Sequence, residues 1–397
     1  MISFKNLGIS KPILKSINDE KFESPSEIQE KSIPIILSGR DVIAGSATGS
    51  GKTLAFASGL LQSSEKGKGI QALILTPTRE LAEQVTKALT KFSRYRPLSI
   101  IAVYGGVGIN PQINGLKTAD VVIGTPGRIL DHIGRNTIKL DKVKTLVIDE
   151  ADRMFDMGFK HDVVKIIKKC SQDRQTLLFS ATISKDVVQL ARAYMKKPLQ
   201  VSVDPYIDPK KLDQVYYDVA DDVKFSLLVH LLKNEKTSLG MVFCNTKRNT
   251  DKVAKHLRFS GIDALAIHGG LTQSKRNNVM KLFHSGESCV LVCTDVAARG
   301  LDIHGVSHVY NYDIPWESKQ YIHRIGRTAR AGKEGKAINI LSRKDYDNFS
   351  NVLKDNDVVI KEETTPDIEK VVMRTQERRP NKPVFRKVKQ DNKHTPY

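Results

Sequence analysis

The feature that most constrains this chain is a series of apolar runs that do not alternate with polar residues. Asp41–Ala47, Ala72–Pro77, Ser99–Gly105, Asp120–Pro126, Thr145–Ala151 and Thr176–Thr182 are each nearly continuous in apolar residues. A strand with one wet face alternates; a continuous run implies a strand covered on both faces. Between these runs, segments such as Glu80–Tyr95 and Asp162–Cys170 carry helical spacing. Alternating strand and helix predict a parallel α/β sheet.

The pattern halts near Val201–Lys211, where Asp204-Pro205 and Asp208-Pro209 read as a linker. It restarts with Gln214–Val219, Met241–Asn245, Ala264–His268, Cys289–Asp295, His308–Asp313 and Lys336–Leu341 as strands, and Thr246–Ser260 and Thr272–His284 as helices. The expected organisation is therefore two tandem α/β domains, 1–202 and 213–358, joined by 203–212. Residues 359–397 are expected to form a basic, disordered tail. From Arg374 onward it holds eight basic residues against Glu377 and Asp391, with Pro380, Pro383 and Pro396 opposing regular structure.

The phosphate chemistry lies at the end of the first run. Ser46-Ala47-Thr48-Gly49-Ser50-Gly51-Lys52-Thr53 follows a strand and opens the helix Leu54–Leu61. Strand, glycine loop and helix in that order form a P-loop, whose backbone N–H groups and helix N-terminus attract phosphate. Ser46 stands where the strict pattern has its first glycine. Lys52 is placed to reach the β- and γ-phosphates of ATP, and Thr53 to hold Mg²⁺. A second strand, Leu146-Val147-Ile148, runs into Asp149-Glu150. Asp149 is expected to hold Mg²⁺ largely through water, and Glu150 to orient or deprotonate the attacking water.

Composition limits the setting. The 397 residues carry a net charge of +19, which favours polyanionic partners. Cys170, Cys244, Cys289 and Cys293 form no C-x-x-C pair, so neither a zinc site nor a disulfide framework is indicated. No run of 18 apolar residues is present, and Met1-Ile2-Ser3-Phe4-Lys5 does not read as a signal peptide. The expectation is a cytoplasmic protein, monomeric by default, with no membrane partner.

Asp149-Glu150-Ala151-Asp152, taken with Ser46–Thr53, resembles the DEAD-box family of helicase superfamily 2. Pro77–Ala82, Gly105-Gly106, Thr125–Arg128 and Ser180-Ala181-Thr182 continue the likeness in the first domain. Phe243–Thr246, Gln273–Arg276, Thr294–Asp302 and His323–Arg330 continue it in the second, in family order, from Phe4 to about residue 345. The resemblance implies two RecA-like domains with ATP and RNA in the cleft between them. It implies an RNA-dependent ATPase that unwinds short duplexes or remodels RNA–protein complexes.

By the same resemblance, Phe22 stacks on adenine and Gln29 reads its edge within an adenine-reading segment at 2–30. Read alone, Phe22 is rather a core residue and Gln29 a helix-surface residue. Gly300 and Asp302 match nucleotide positions of the second domain, Asp302 at the ribose, and Arg327 and Arg330 match arginines that reach the γ-phosphate. Their spacing places both on one face if the segment is helical, where they also read as a plain basic face with Arg324. Ser180, Thr182 and His323 match residues that link the nucleotide site to domain closure.

RNA-backbone positions map onto Pro77, Arg79, Gly106, Thr125, Gly127 and Arg128, and onto Asn245, Thr246, Gly270, Gln273, Arg276, Thr294 and Arg299. Contacts to phosphate and 2′-OH carry no base information, so binding without sequence preference is expected. The chain departs from the family at Ser46-Ala47, at Glu27, where a proline is usual, and at Lys21 and Ala329, where glycine is usual. Two other readings are an ATP-gated RNA clamp with weak unwinding, and a DNA helicase or translocase.

Overall fold

The computed structural model describes residues 3–46, 49–203, 212–235, 237–298, 303, 305–329, 334–356 and 359–371. The first domain carries β1 (Val42–Gly45), β2 (Ala72–Leu75), β3 (Ile100–Val103), β4 (Val121–Gly124), β5 (Thr145–Ile148), β6 (Gln175–Ser180) and β7 (Leu199–Ser202). They form a parallel sheet in the order β3-β4-β2-β5-β6-β1-β7.

The continuous apolar runs divide between two cores, as a strand's period of two demands. Val42 and Ala44 face one core with Ala72, Ile74, Val147, Leu177 and Phe179. Ile43 faces the other with Leu73, Leu75, Leu146, Ile148 and Leu178. Phe4, Leu7, Ile13 and Ile17 pack into the first of these cores, so the N-terminal segment is built onto the domain.

The second domain repeats the plan with β8 (Leu212–Asp218), β9 (Gly240–Phe243), β10 (Ala264–Ile267), β11 (Val290–Cys293), β12 (His308–Asn311), β13 (Gly335–Leu341) and β14 (Lys361–Glu362). Their order is β10-β11-β9-β12-β13-β8-β14, again parallel. Both sheets are RecA-like.

Three expectations change. The linker narrows at both ends: β7 runs through Ser202, inside the stretch where the apolar pattern halts, Val203 N donates to Gly45 O at 2.9 Å, and Leu212 opens β8. β7 is an edge strand whose polar residues alternate outward, so it lacks the continuous apolar signature. The central strands also stop two or three residues short of the apolar runs, because those residues turn into the site loops. Finally, the second domain extends past residue 358. Lys361 and Glu362 pair with Val215 and Tyr216, Ile368 and Val371 pack on the core, and Val371 N donates to Ser226 Oγ at 3.0 Å. The linker residues 204–211 and the tail from 372 lie outside the described residues.

Candidate active site and nucleic-acid cleft

Strand order places the phosphate chemistry. β6 lies between β1 and β5, so the P-loop after β1 and the carboxylates after β5 flank the Ser180 end of β6. All three sit at carboxyl ends of parallel strands, where such sheets bind ligands.

Gly51 caps the helix Lys52–Ser63 at φ +96°, and a Cβ there would run into the Gln29 amide. Lys52 is buried, with Nζ donating to Ser46 O at 3.0 Å, and Ser50 Oγ donates to Ser46 Oγ at 3.0 Å. Thr53 follows in the first turn of the same helix. Ala47 and Thr48 lie outside the described residues.

Asp149 and Glu150 are both buried. Burial pushes the Asp149 carboxyl up to about 6, although Lys52 pulls the other way. Its Oδ1 has no hydrogen-bond partner among the described residues. Burial also raises Glu150, but Arg153, Lys52 and Arg327 outweigh it and hold that carboxyl below its usual range. Glu150 takes a left-handed backbone, φ 54°, and the helix Ala151–Asp156 starts directly after it. Non-glycine residues adopt that conformation at a cost of roughly 1–2 kcal/mol, which tight packing must offset. Arg153 Nη1 donates to Glu150 Oε2 at 2.7 Å, both side chains only 3% exposed. Sequence reading missed Arg153; its i,i+3 spacing from Glu150 was the available signal.

Asp152 joins β5 to β6. Its N–H donates to Ser180 Oγ at 3.2 Å, and its Oδ2 accepts from Thr182 N at 3.0 Å and Thr182 Oγ1 at 3.1 Å. Ser180 Oγ in turn donates to Thr182 O at 2.8 Å. Burial raises the Asp152 carboxyl, but Lys52, Arg153 and His323 bring it below normal. His323 belongs to the second domain, so this network feels the position of both domains.

The adenine-reading segment is wired to the P-loop. Gln29 Oε1 accepts from Ser26 N at 2.9 Å in a capping box, and Nε2 donates to Gly51 O at 3.0 Å. Ser26 Oγ donates to Ser50 O at 2.7 Å. Gln29 is thus buried rather than on a helix surface. Phe22 is 41% exposed with its ring 6.1 Å from that of Phe92, so it is a surface platform rather than core. Lys21 and Ala329 occupy left-handed positions, φ 59° and 53°, which explains why glycine is usual at both.

The arginines of the second domain separate. Its helix Ser318–Ile325 ends at Gly326, so Arg327 lies in the following turn rather than on the helix. Arg324 is a buried organiser: it pairs with Asp295 at 2.6 Å and donates to Asn245 Oδ1 at 2.8 Å and Asn311 Oδ1 at 3.2 Å. Arg299, Gly300, Asp302 and Arg330 lie outside the described residues.

A cleft of ≈ 480 Å³ brings Pro77, Arg79, Thr125, Gly127 and Arg128 of the first domain together with Gln273 and Arg276 of the second. Thr78 and Thr272 cap the helices Arg79–Phe92 and Gln273–His284, which start at this cleft. Gly106, φ +81°, lets Arg79 lie across it; a Cβ would overlap the guanidinium. Arg128 donates to Val107 O at 3.2 Å and steadies that loop. Arg276 is taken up by Glu80 of the first domain at 2.6 Å, with Gln273 Nε2 3.3 Å from the same carboxylate oxygen. Asn245, Thr246, Gly270 and Thr294 do not line the cleft. The Asn245 side chain is used by Ile314 and Arg324, and Thr246 caps the helix Lys247–Phe259.

Comparison with known proteins agrees with this geometry. Residues 26–190 match the family model described as DEAD/DEAH box helicase, and residues 223–332 match the helicase conserved C-terminal domain. The ATP-dependent RNA helicase CshA of Listeria monocytogenes is 47% identical over 85% of this chain and 66% of its own length. This chain therefore spans just under two thirds of that relative. Among solved structures, a DEAD box protein of Methanococcus jannaschii is 42% identical, with a TM-score of 0.56 over 91% of this chain and 99% of that one. Saccharomyces cerevisiae Dbp5 bound to RNA and ADP BeF3 is 32% identical, with a TM-score of 0.83 over 91% and 96%.

Proposed function

We propose, from the premise that this chain belongs to the DEAD-box family of ATP-dependent RNA helicases, that ATP and RNA together hold its two domains shut and that closure separates short duplexes. The observation that carries this reading is that Arg276 of one domain donates to Glu80 of the other at 2.6 Å, and the Glu150 carboxyl also feels Arg327 across the same cleft. Closer superposition on the RNA-bound yeast protein than on the more identical archaeal one supports a closed arrangement.

In the closed form Lys52 holds the terminal phosphates and Glu150 orients the attacking water. Arg327 brings positive charge to the developing transition state, so hydrolysis depends on the second domain's position. The residues present suit a magnesium ion: the Asp149 Oδ1 lacks a partner among the described residues, and Thr53 stands in the first turn after the P-loop lysine. Bound there, Mg²⁺ would neutralise phosphate charge, with Thr53 and Asp149 as its protein anchors, Asp149 through water. Phe22 and Gln29 select adenine. The cleft holds a single RNA strand by its backbone, without sequence preference, in a shape that a duplex cannot share. Binding therefore shifts the population toward a closed state that expels the second strand.

The test is ATP hydrolysis with single-stranded RNA, with single-stranded DNA and with neither, beside Glu150→Gln. The expected result is strong stimulation by RNA, lost in the variant. Equal stimulation by DNA would favour a DNA translocase, and hydrolysis indifferent to both would favour an ATP-gated clamp.

A further inference from the structure

We propose that Arg153 is a positioning residue for hydrolysis: its guanidinium fixes the rotation of the Glu150 carboxylate so that the carboxylate is already aimed when water arrives. The inference rests on the reading of Glu150 as the residue that orients water.

The ion pair is short, Nη1 to Oε2 at 2.7 Å, and both side chains are 3% exposed. An i,i+3 pair on a helix surface contributes little, because water screens it and side-chain entropy opposes it. A buried pair has a different balance. Removing two charges from water costs more than a stability role can readily repay, and an apolar pair of like volume often serves equally well. A guanidinium buried beside a phosphate site therefore needs another explanation.

The backbone supplies one. Glu150 sits at φ 54° directly before the helix Ala151–Asp156, and Arg153 lies in that helix's first turn. The main chain thus holds the Glu150 Cα rigidly, but the last torsion of a glutamate is broad and roughly two-fold. Nothing in the backbone can set which way the carboxylate plane faces. A hydrogen bond from a guanidinium anchored three residues further on sets it. Arginine suits this task because its planar fork is directional, whereas a lysine ammonium is a point charge.

The test uses the full chain, Arg153→Met and Arg153→Lys, each alone and combined with Glu150→Gln. RNA-stimulated ATP hydrolysis is read as kcat and KM for ATP in the steady state, with single-turnover rates for the Glu150→Gln pair. The expected result for Arg153→Met is a kcat lower by roughly ten- to a hundred-fold, the scale of a misplaced reacting group, with KM within about two-fold. In the Glu150→Gln background Arg153→Met should cause no further loss. A raised KM with kcat retained would overturn the proposal, as would an equal further loss in the Glu150→Gln background.

If Arg153→Met fails to fold, Arg153→Lys decides. It keeps the charge and loses the fork, so a lower kcat at unchanged KM supports aiming, and full kcat overturns it. Full activity in Glu150→Gln itself would remove the underlying reading of Glu150. Loss in Glu150→Gln with none in either Arg153 variant would remove only this inference.

Discussion

Glu80 Oε1 accepts from Arg276 Nε at 2.6 Å, joining residues 196 positions apart and in different domains. Each side chain is 11% exposed. Arg276 was expected on an RNA phosphate, yet here it ties the walls of the cleft together. Gln273 reaches the same carboxylate at 3.3 Å. A closed cleft thus has its own latch on the RNA side, separate from Arg327 on the nucleotide side.

Breaking that latch should weaken closure without touching the P-loop. Arg276→Ala removes a largely shielded, charge-assisted bond of about 1.5–3 kcal/mol. The expected outcome is roughly ten-fold weaker RNA binding in the presence of ATP analogue, with nucleotide binding to the isolated state within two-fold. Fluorescence anisotropy with a labelled single strand measures it. Unchanged RNA affinity would show that the latch forms no part of the bound state.

The Asp152–Thr182 connection predicts a split between chemistry and unwinding. Thr182→Ala removes one of the two bonds to Asp152 Oδ2, while Thr182 N keeps the other. Lys52, Asp149 and Glu150 remain in place. Duplex separation should fall several-fold or more while RNA-stimulated hydrolysis stays within about three-fold. A strand-displacement assay beside a phosphate-release assay on the same preparation separates the two. Parallel loss of both activities would place Thr182 in the chemistry itself.

Asp149 gives a pH dependence whose sign follows from burial. Burial pushes the folded carboxyl up to about 6, above the usual aspartate value of about 4. Between those values the folded state binds more protons than the unfolded one, so stability falls as pH rises through that window. Without nucleotide and with a chelator present, the protein should lose stability from about pH 4 to about pH 6 through this group. Asp149→Asn should flatten that component. Denaturant titrations at several pH values, wild type against variant, give the answer; parallel curves would refute it.

Lys21 and Ala329 hold left-handed backbone at φ 59° and 53°. Replacing either with glycine relieves roughly 1–2 kcal/mol of strain. The unfolded chain gains entropy with glycine, about 0.4–1 kcal/mol in the other direction. A net stabilisation of about 0.5–1 kcal/mol is expected for Lys21→Gly, whose side chain is exposed. Chemical denaturation measures it, and a net loss would show that the strain is already relaxed.

The sequence by itself determined all the strands but β7 and β14, the P-loop and the identity of the acidic pair. Apolar runs such as Ala72–Leu75 and Leu146–Ile148 name central strands because both faces must be covered. Gly49-Ser50-Gly51-Lys52-Thr53 names a phosphate site because backbone geometry and helix polarity are local properties. β7 and β14 escaped, since β7 turns Gln200 and Ser202 outward and β14 is only the exposed pair Lys361–Glu362. Only the tertiary structure decided the partners. Asp152 meets Thr182 because β5 and β6 are neighbours, Arg324 is an internal organiser because its helix packs against Asp295, and Arg276 finds Glu80 only when two domains face each other. Those pairings depend on strand order and domain placement, which arise from burying whole faces together and leave no trace in local spacing.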